Sequence, residues 1–290
     1  MTTFYITATL HNLTPPETPI TVRGFTVERH PYPPSVTDEM IERITPPDWN
    51  LIQRTELSAA ISLLHSMASE CILRYAVQAP DVDTVMATEG RRIAQFVQAI
   101  ELLTGKAVEL GHIMFAPEVG GIAFFYGQTR AFRGGPASIG PQMVTVLDEV
   151  LQVLQANVPK RIETALLEYD TALKSEDIRR QFIHSVVALE ALFGDSASEA
   201  LSYKVPLRAA LLIPSLATRK KEGFRRLRQA YNTRNAFVHG TWDQRVLTEA
   251  ETIVDEVVSL TGEAVFEFLQ RVKDGKQHEF PALDEEVFFS

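Results

Sequence analysis

Residues 231–240 read Tyr-Asn-Thr-Arg-Asn-Ala-Phe-Val-His-Gly, which sets Arg234 five residues before His239 with Gly240 directly behind. An imidazole can accept and return a proton near neutral pH. A guanidinium carries a permanent planar charge that matches two phosphate oxygens. RNA brings its own nucleophile, the 2′-hydroxyl beside each phosphodiester. A histidine and an arginine are therefore the minimum equipment for cutting RNA without a metal. A plainer reading of the same two residues has Arg234 in a core salt bridge and His239 closing a helix end.

The charge pattern leads into this stretch. The 290-residue chain carries a formal charge of −9, which argues against a protein that coats nucleic acid indiscriminately. Between positions 219 and 234, however, lie Arg219, Lys220, Lys221, Arg225, Arg226, Arg228 and Arg234, against one acid, Glu222. Such a run is either a solvated helix face or a track for a phosphate backbone.

The elements that must position these residues follow from periodicity. A helix is expected over 222–238, with Phe224, Leu227, Tyr231 and Val238 as its buried stripe. On an ideal helix Arg234 falls about 50° from the centre of that stripe, Asn235 about 50° to the other side, and His239 about 140° from Arg234. Gly240 is placed as a left-handed stop. The preceding long helix begins at a Ser175 cap and runs to Gly194, with Ile178, Phe182, Val186, Leu189 and Phe193 as its core stripe. Glu190 is the only charge in its last two turns; it either pairs with Arg234 or Arg208 or faces water. His184 and Arg180 fall on the polar face and read as surface residues. Further helices are expected over 143–156, 160–173 and 245–272, with an apolar segment over 207–213 that stops at Pro214 and an irregular tail after Gly275. Short connections between amphipathic helices predict an antiparallel bundle.

The front of the chain reads differently. Residues 3–9 and 20–28 are β-branched and aromatic and predict strands, with a short helix over 37–43. Residues 71–77 fit a strand or the end of a helix begun near 56. A helix over 82–103 stops at Gly105, and 107–115 with 122–126 predict a hairpin about Gly120-Gly121. The glycines and prolines at 133–141 mark a boundary. The expected fold class is thus an α+β N-terminal domain over 1–140 followed by an all-α helical bundle over 141–290.

Several chemistries find no support. No phosphate-binding glycine loop, dinucleotide fingerprint, GxSxG elbow, HExxH or CxxC is present, so neither a metal nor a cofactor is expected. Cys71 is the single cysteine, which rules out an intrachain disulfide and fits a reducing compartment. No apolar run reaches membrane-spanning length, and the first residues lack a signal-peptide pattern; the expectation is a cytoplasmic protein with no membrane partner.

Arg234-Asn-Ala-Phe-Val-His239 resembles the R-x4-6-H motif of HEPN domains, including the polar residue after the arginine. Ala188-Leu-Glu-Ala-Leu-Phe193 and Leu207-Arg-Ala-Ala-Leu-Leu212, in order before it, resemble the Apea-like branch of that superfamily, over about residues 145–272. The resemblance implies a HEPN-like helical bundle that pairs as a homodimer and unites two motifs in one cleft. It implies a metal-independent endoribonuclease in phage defence or a toxin-like stress response, with RNA as partner and a regulatory protein or phage-derived trigger as a further one. Carried over by position, Arg234 would neutralise the scissile phosphate, His239 would act as general base or acid, and Asn235 would support the cleft. Glu190, Tyr231 and Arg208 would be supporting residues. Members silenced by modification carry a tyrosine two residues after the histidine, where this chain has Thr241. Some HEPN domains serve only as RNA-binding or assembly modules, and that is the alternative reading.

Overall fold

The computed structural model describes residues 2–29, 71–117, 123–125, 135–156, 158–195, 200–276, 278–279 and 282–289. They form an N-terminal antiparallel sheet region and a mostly helical C-terminal part. Packing divides the chain into two compact units, one of Met1–Arg91, Val108–Thr129 and Ser138–Val144, the other of Arg92–Ala107, Arg130–Ala137 and Thr145–Ser290.

In the first unit, β1 (Thr2–His11) lies at the centre of the sheet. Alternate side chains Phe4, Ile6, Ala8 and Leu10 are buried, as a half-buried strand requires. The short β2 (Leu13–Thr14) stands outside this sheet. Residues 20–28, expected as one strand, form two, β3 (Ile20–Val22) and β4 (Phe25–Arg29). Arg23 and Gly24 take φ values of 49° and 85°, the left-handed pair that closes a two-residue hairpin. Residues 71–77 resolve as a strand, β5 (Cys71–Ala79), antiparallel to both β1 and β4. Phe25 packs edge-on against Tyr75 with centroids 4.6 Å apart. After α1 (Val82–Thr104), β6 (Glu109–Pro117) and β7 (Ala123–Phe125) give the expected antiparallel pair, and the sheet order is β3-β4-β5-β1-β6-β7. The helix expected over 37–43 lies outside the described residues, as do the start of a helix near 56 and the Gly120-Gly121 turn.

Beyond the two-residue β8 (Ala137–Ser138) the chain turns helical: α2 (Val144–Gln155), α3 (Lys160–Leu173), α4 (Ile178–Phe193), α5 (Leu201–Leu212), α6 (Lys220–His239) and α7 (Gln244–Lys273). The core of the second unit is built on α4, which packs against α3, α5, α6 and α7. Phe182, Val186, Leu189 and Phe193 are all buried; Phe193 meets Phe268 of α7 edge-on at 5.3 Å, and Phe182 meets Phe237 of α6 at 6.0 Å. The N-cap of α4 is Asp177, whose Oδ1 accepts from the Arg179 amide at 2.8 Å, rather than Ser175. An ionised carboxylate is the better acceptor at the positive end of a helix, which moves the start two residues on. The tail is not irregular: α8 (Ala282–Phe289) follows, with Leu283 fully buried. None of the described helices is long and apolar enough to cross a membrane.

One close approach sets a stability prediction. A Cβ on Gly262 of α7 would lie 2.5 Å from the Tyr169 hydroxyl of α3, and Tyr169 is itself buried. Gly262→Ala should lower the unfolding free energy by about 1–3 kcal/mol, since the rigid ring must move. Urea denaturation in a Tyr169→Phe background should recover part of that loss.

Candidate functional site

Helix α6 carries the motif, and its end is built for exposure. Gly240 adopts φ 68°, and the Thr241 and Gly240 amides donate to the Ala236 and Phe237 carbonyls at 3.0 and 3.3 Å. That pair of bonds closes the last turn and ends the helix where the sequence places the stop. His239 is its last residue and is exposed.

The buried face of α6 comprises Gly223, Leu227, Ala230, Tyr231, Thr233 and Phe237. Val238, expected in the stripe, is 50% exposed, and Phe224 is half-buried. Small residues extend the buried face toward Thr233, whereas Val238, between Leu227 and Tyr231 in helical angle, is exposed in the last turn. Gly223 packs where a Cβ would meet Leu216 at 2.8 Å, so the closest face is the one with least side chain. On an ideal helix Arg234 then falls within about 25° of the middle of the buried face.

Arg234 is accordingly held by its surroundings. Its Nη2 donates to Glu190 Oε2 of α4 at 3.1 Å, and its Nη1 donates to Asn235 Oδ1 at 3.1 Å. The guanidinium carbon lies 6.0 Å from the centroid of the Tyr231 ring. Arg234 and Glu190 keep 21% and 19% of their side-chain surface, so the pair is neither free in water nor sealed from it. The Arg234 Nε–H is buried and has no hydrogen-bond partner among the described residues. Burial, and then the Glu190 carboxylate beside it, push the Tyr231 phenol up to about 12, so it stays protonated in the cell's pH range. Arg234, Glu190, Asn235 and Tyr231 thus form one cluster on the inner side of α6.

His239 belongs to another face. On an ideal helix it lies within about 40° of Arg225, Arg228 and Asn232, all exposed, and about 140° from Arg234. Arg219, Lys220, Lys221 and Arg226 are exposed as well. Glu256 of α7 stands 3.9 Å from Arg219 and 3.8 Å from Arg226. Lys220, Lys221, Arg225 and Arg228 make no ion pair among the described residues.

Arg208 serves elsewhere than the Arg234 cluster. It is buried, its Nε and Nη2 donate to Asp284 of α8 at 2.7 and 2.6 Å, Nη2 also reaches Asp195 at 3.0 Å, and Nη1 donates to the Phe193 carbonyl at 2.7 Å. Burial opposes its charge, but the hydrogen bonds it donates to Asp284 and Asp195 outweigh that and raise its pKa. With Arg161, whose Nη2 donates to the Gly194 carbonyl at 2.7 Å, it closes the C-terminal end of α4. Arg208→Ala should cost about 3–5 kcal/mol, as a buried charge network loses its centre. Arg225→Ala, on the exposed face, should stay within about 0.5 kcal/mol in the same thermal denaturation.

Arg180 is a surface residue as expected, but His184 is not: it is half-buried and its Nδ1 lies 2.7 Å from Glu168 Oε2 of α3. The carboxylate on the neighbouring helix, invisible from α4 alone, draws it in. Burial raises the Cys71 thiol to about 12, so it is not a nucleophile near neutral pH. Among the described residues no group of three or more His, Cys, Asp or Glu side chains converges as a metal site.

Two exposed aromatics beside α6 escaped the sequence reading. Tyr203 of α5 is 51% exposed and packs edge-on to Phe224 at 5.4 Å; Trp242 is 36% exposed and packs edge-on to Phe237 at 6.1 Å. Only the position of Trp242, three residues past His239, could have drawn attention to it. Set against known protein families, curated proteins and solved structures, the chain matches none of them.

Proposed function

We propose that the protein is a HEPN-type endoribonuclease that cleaves RNA through the RNA's own 2′-hydroxyl, with Arg234 and His239 as catalytic residues. The observation that carries the reading is the end of α6. It exposes a histidine with a basic face behind it, one and a half turns beyond an arginine that neighbouring groups hold in place. In the reaction a base takes the 2′-hydroxyl proton, the 2′-oxygen attacks phosphorus, and the bond to the 5′-oxygen breaks. An acid returns a proton to that 5′-oxygen. The products are a 2′,3′-cyclic phosphate and a 5′-hydroxyl. His239 supplies the base or the acid, and Arg234 neutralises charge on the phosphate oxygens.

Because the two side chains point to different sides of α6, one copy makes a poor site. A second copy supplies the missing half: a homodimer sets His239 of each chain against the same phosphate. The sheet unit then senses a trigger, a regulatory protein or phage-derived component, or selects the substrate in a cytoplasmic defence or toxin-like response. The ion pair of Arg234 with Glu190 favours a second reading, a non-catalytic RNA-binding or assembly module, because a paired arginine has work without a phosphate. The whole protein incubated with RNA in EDTA separates the two. Fragments ending in cyclic phosphates and 5′-hydroxyls, and none from RNA methylated at every 2′-oxygen, support the nuclease. Intact RNA, or fragments with 5′-phosphates, overturn it.

A further inference from the structure

The solvent face of α6 bounds a groove of about 400 Å³ against the start of α7. Phe224, Arg225, Arg228 and Asn232 line one side, and Val246 and Glu249 the other. Glu249, paired with the exposed Arg245 at 3.1 Å, is the one carboxylate of this lining, against the two cations Arg225 and Arg228. At one end Tyr203 stacks edge-on to Phe224, itself a wall of the groove. Past the C-terminal end of α6, Trp242 sits in the connection to α7, four residues before Val246, with its ring edge-on to Phe237. Arg179 lies 5.2 Å from the Trp242 ring centroid, and its Nη2 donates to Asp177 at 2.8 Å. Among the described residues the large exposed apolar side chains are Tyr5, Leu167, Tyr203, Val238 and Trp242; Val238 lies on α6, and Tyr203 and Trp242 pack against its Phe224 and Phe237.

We infer that this groove holds single-stranded RNA, with Tyr203, beside its Phe224 wall, and Trp242, in the connection past the end of α6, as base-stacking platforms. Cationic side chains follow the backbone phosphates, while unpaired bases lie on the rings; a duplex keeps its base faces covered and cannot use them. From Phe224 to His239 the track spans about 22 Å at 1.5 Å per residue, room for several nucleotides. Trp242 follows His239 by three residues, so a base stacked there fixes the adjoining phosphate near the imidazole. Tyr203 and Trp242 are therefore positioning residues that select unpaired RNA. Cleavage next to His239 rests on the nuclease reading above; the stacking platforms do not.

Fluorescence anisotropy with a labelled 2′-O-methyl single-stranded RNA, which cannot be cut through its 2′-oxygens, tests the platforms on the whole protein. Tyr203→Ala and Trp242→Ala should each weaken binding about 5- to 100-fold, the loss expected for one stacked base. Tyr203→Phe and Trp242→Phe should bind within about threefold of wild type, and Tyr5→Ala, on the other unit, should be unchanged. A 2′-O-methyl duplex of the same sequence should bind more weakly and ignore both alanine changes. Alanine variants that bind like wild type, equal affinity for the duplex, or equally effective competition by polyglutamate would each overturn the inference. If binding behaves as expected but wild type cuts no natural RNA, the platforms stand and the nuclease reading falls.

Discussion

His239→Ala is expected to slow RNA cleavage by about 100- to 10,000-fold, the range lost when a positioned acid or base is removed. The same change should leave stability within about 0.5 kcal/mol, because His239 is exposed at the last position of α6. The stop behind it depends on backbone bonds from Gly240 and Thr241, not on the imidazole. That separation makes His239 a clean probe. His239→Gln, which keeps a polar side chain of similar reach but cannot shuttle a proton, should be as inactive as the alanine variant. Cleavage by either variant at the wild-type rate would show that the imidazole is a helix end and nothing more.

Arg234→Ala is expected to abolish cleavage too, but with a cost in stability that His239→Ala lacks. Removing the guanidinium leaves Glu190 half-buried without its partner. A fully buried pair broken in this way costs about 3–5 kcal/mol and a surface pair about 1 kcal/mol or less, so about 1–3 kcal/mol is expected here. The two roles come apart in the double variant. Glu190→Gln combined with Arg234→Ala removes the stranded charge and should restore much of the lost stability, read as the urea midpoint. It should restore no cleavage. If activity returned with stability, Arg234 would be a core ion pair whose loss merely loosens the bundle. Arg234→Lys should hold part of the stability through its charge yet remain poor in cleavage, since an ammonium lacks the planar fork.

Much of the helical part was legible because its signal is periodic and local. The stripe on α4 and the span of α3 follow from apolar spacing alone, and Gly240 marks the end of α6 because glycine enters the left-handed region without steric cost. The misses share a cause, which is that they depend on neighbours. Val238 is apolar, but its helix end projects beyond the bundle, while Gly223, Ala230 and Thr233 take the close-packed side. Two acids at 176 and 177 follow Ser175, and which of the three groups caps α4 is decided by chain geometry. Helix α8 has only eight residues, and Asp284 is held by Arg208 76 positions earlier. His184 meets Glu168 for the same kind of reason. The sequence did point to Glu190 as a partner for Arg234, because a lone carboxylate at the edge of a core helix and an arginine at the edge of another have a common need. Left open were Arg208 as the partner and a Glu190 facing water, and the acids that engage Arg208 are Asp195 and Asp284.

The claim on which the account turns is that the working site belongs to two chains. The separation of the two His239 imidazoles in the assembled protein, measured in an experimental structure of the dimer, tests it directly. Each imidazole must come within about 3 Å of the atoms of one shared phosphate, so the two should lie less than about 10 Å apart with both Arg234 side chains bordering the same cleft. A monomer in solution, or a dimer whose His239 side chains open onto opposite surfaces, would contradict it.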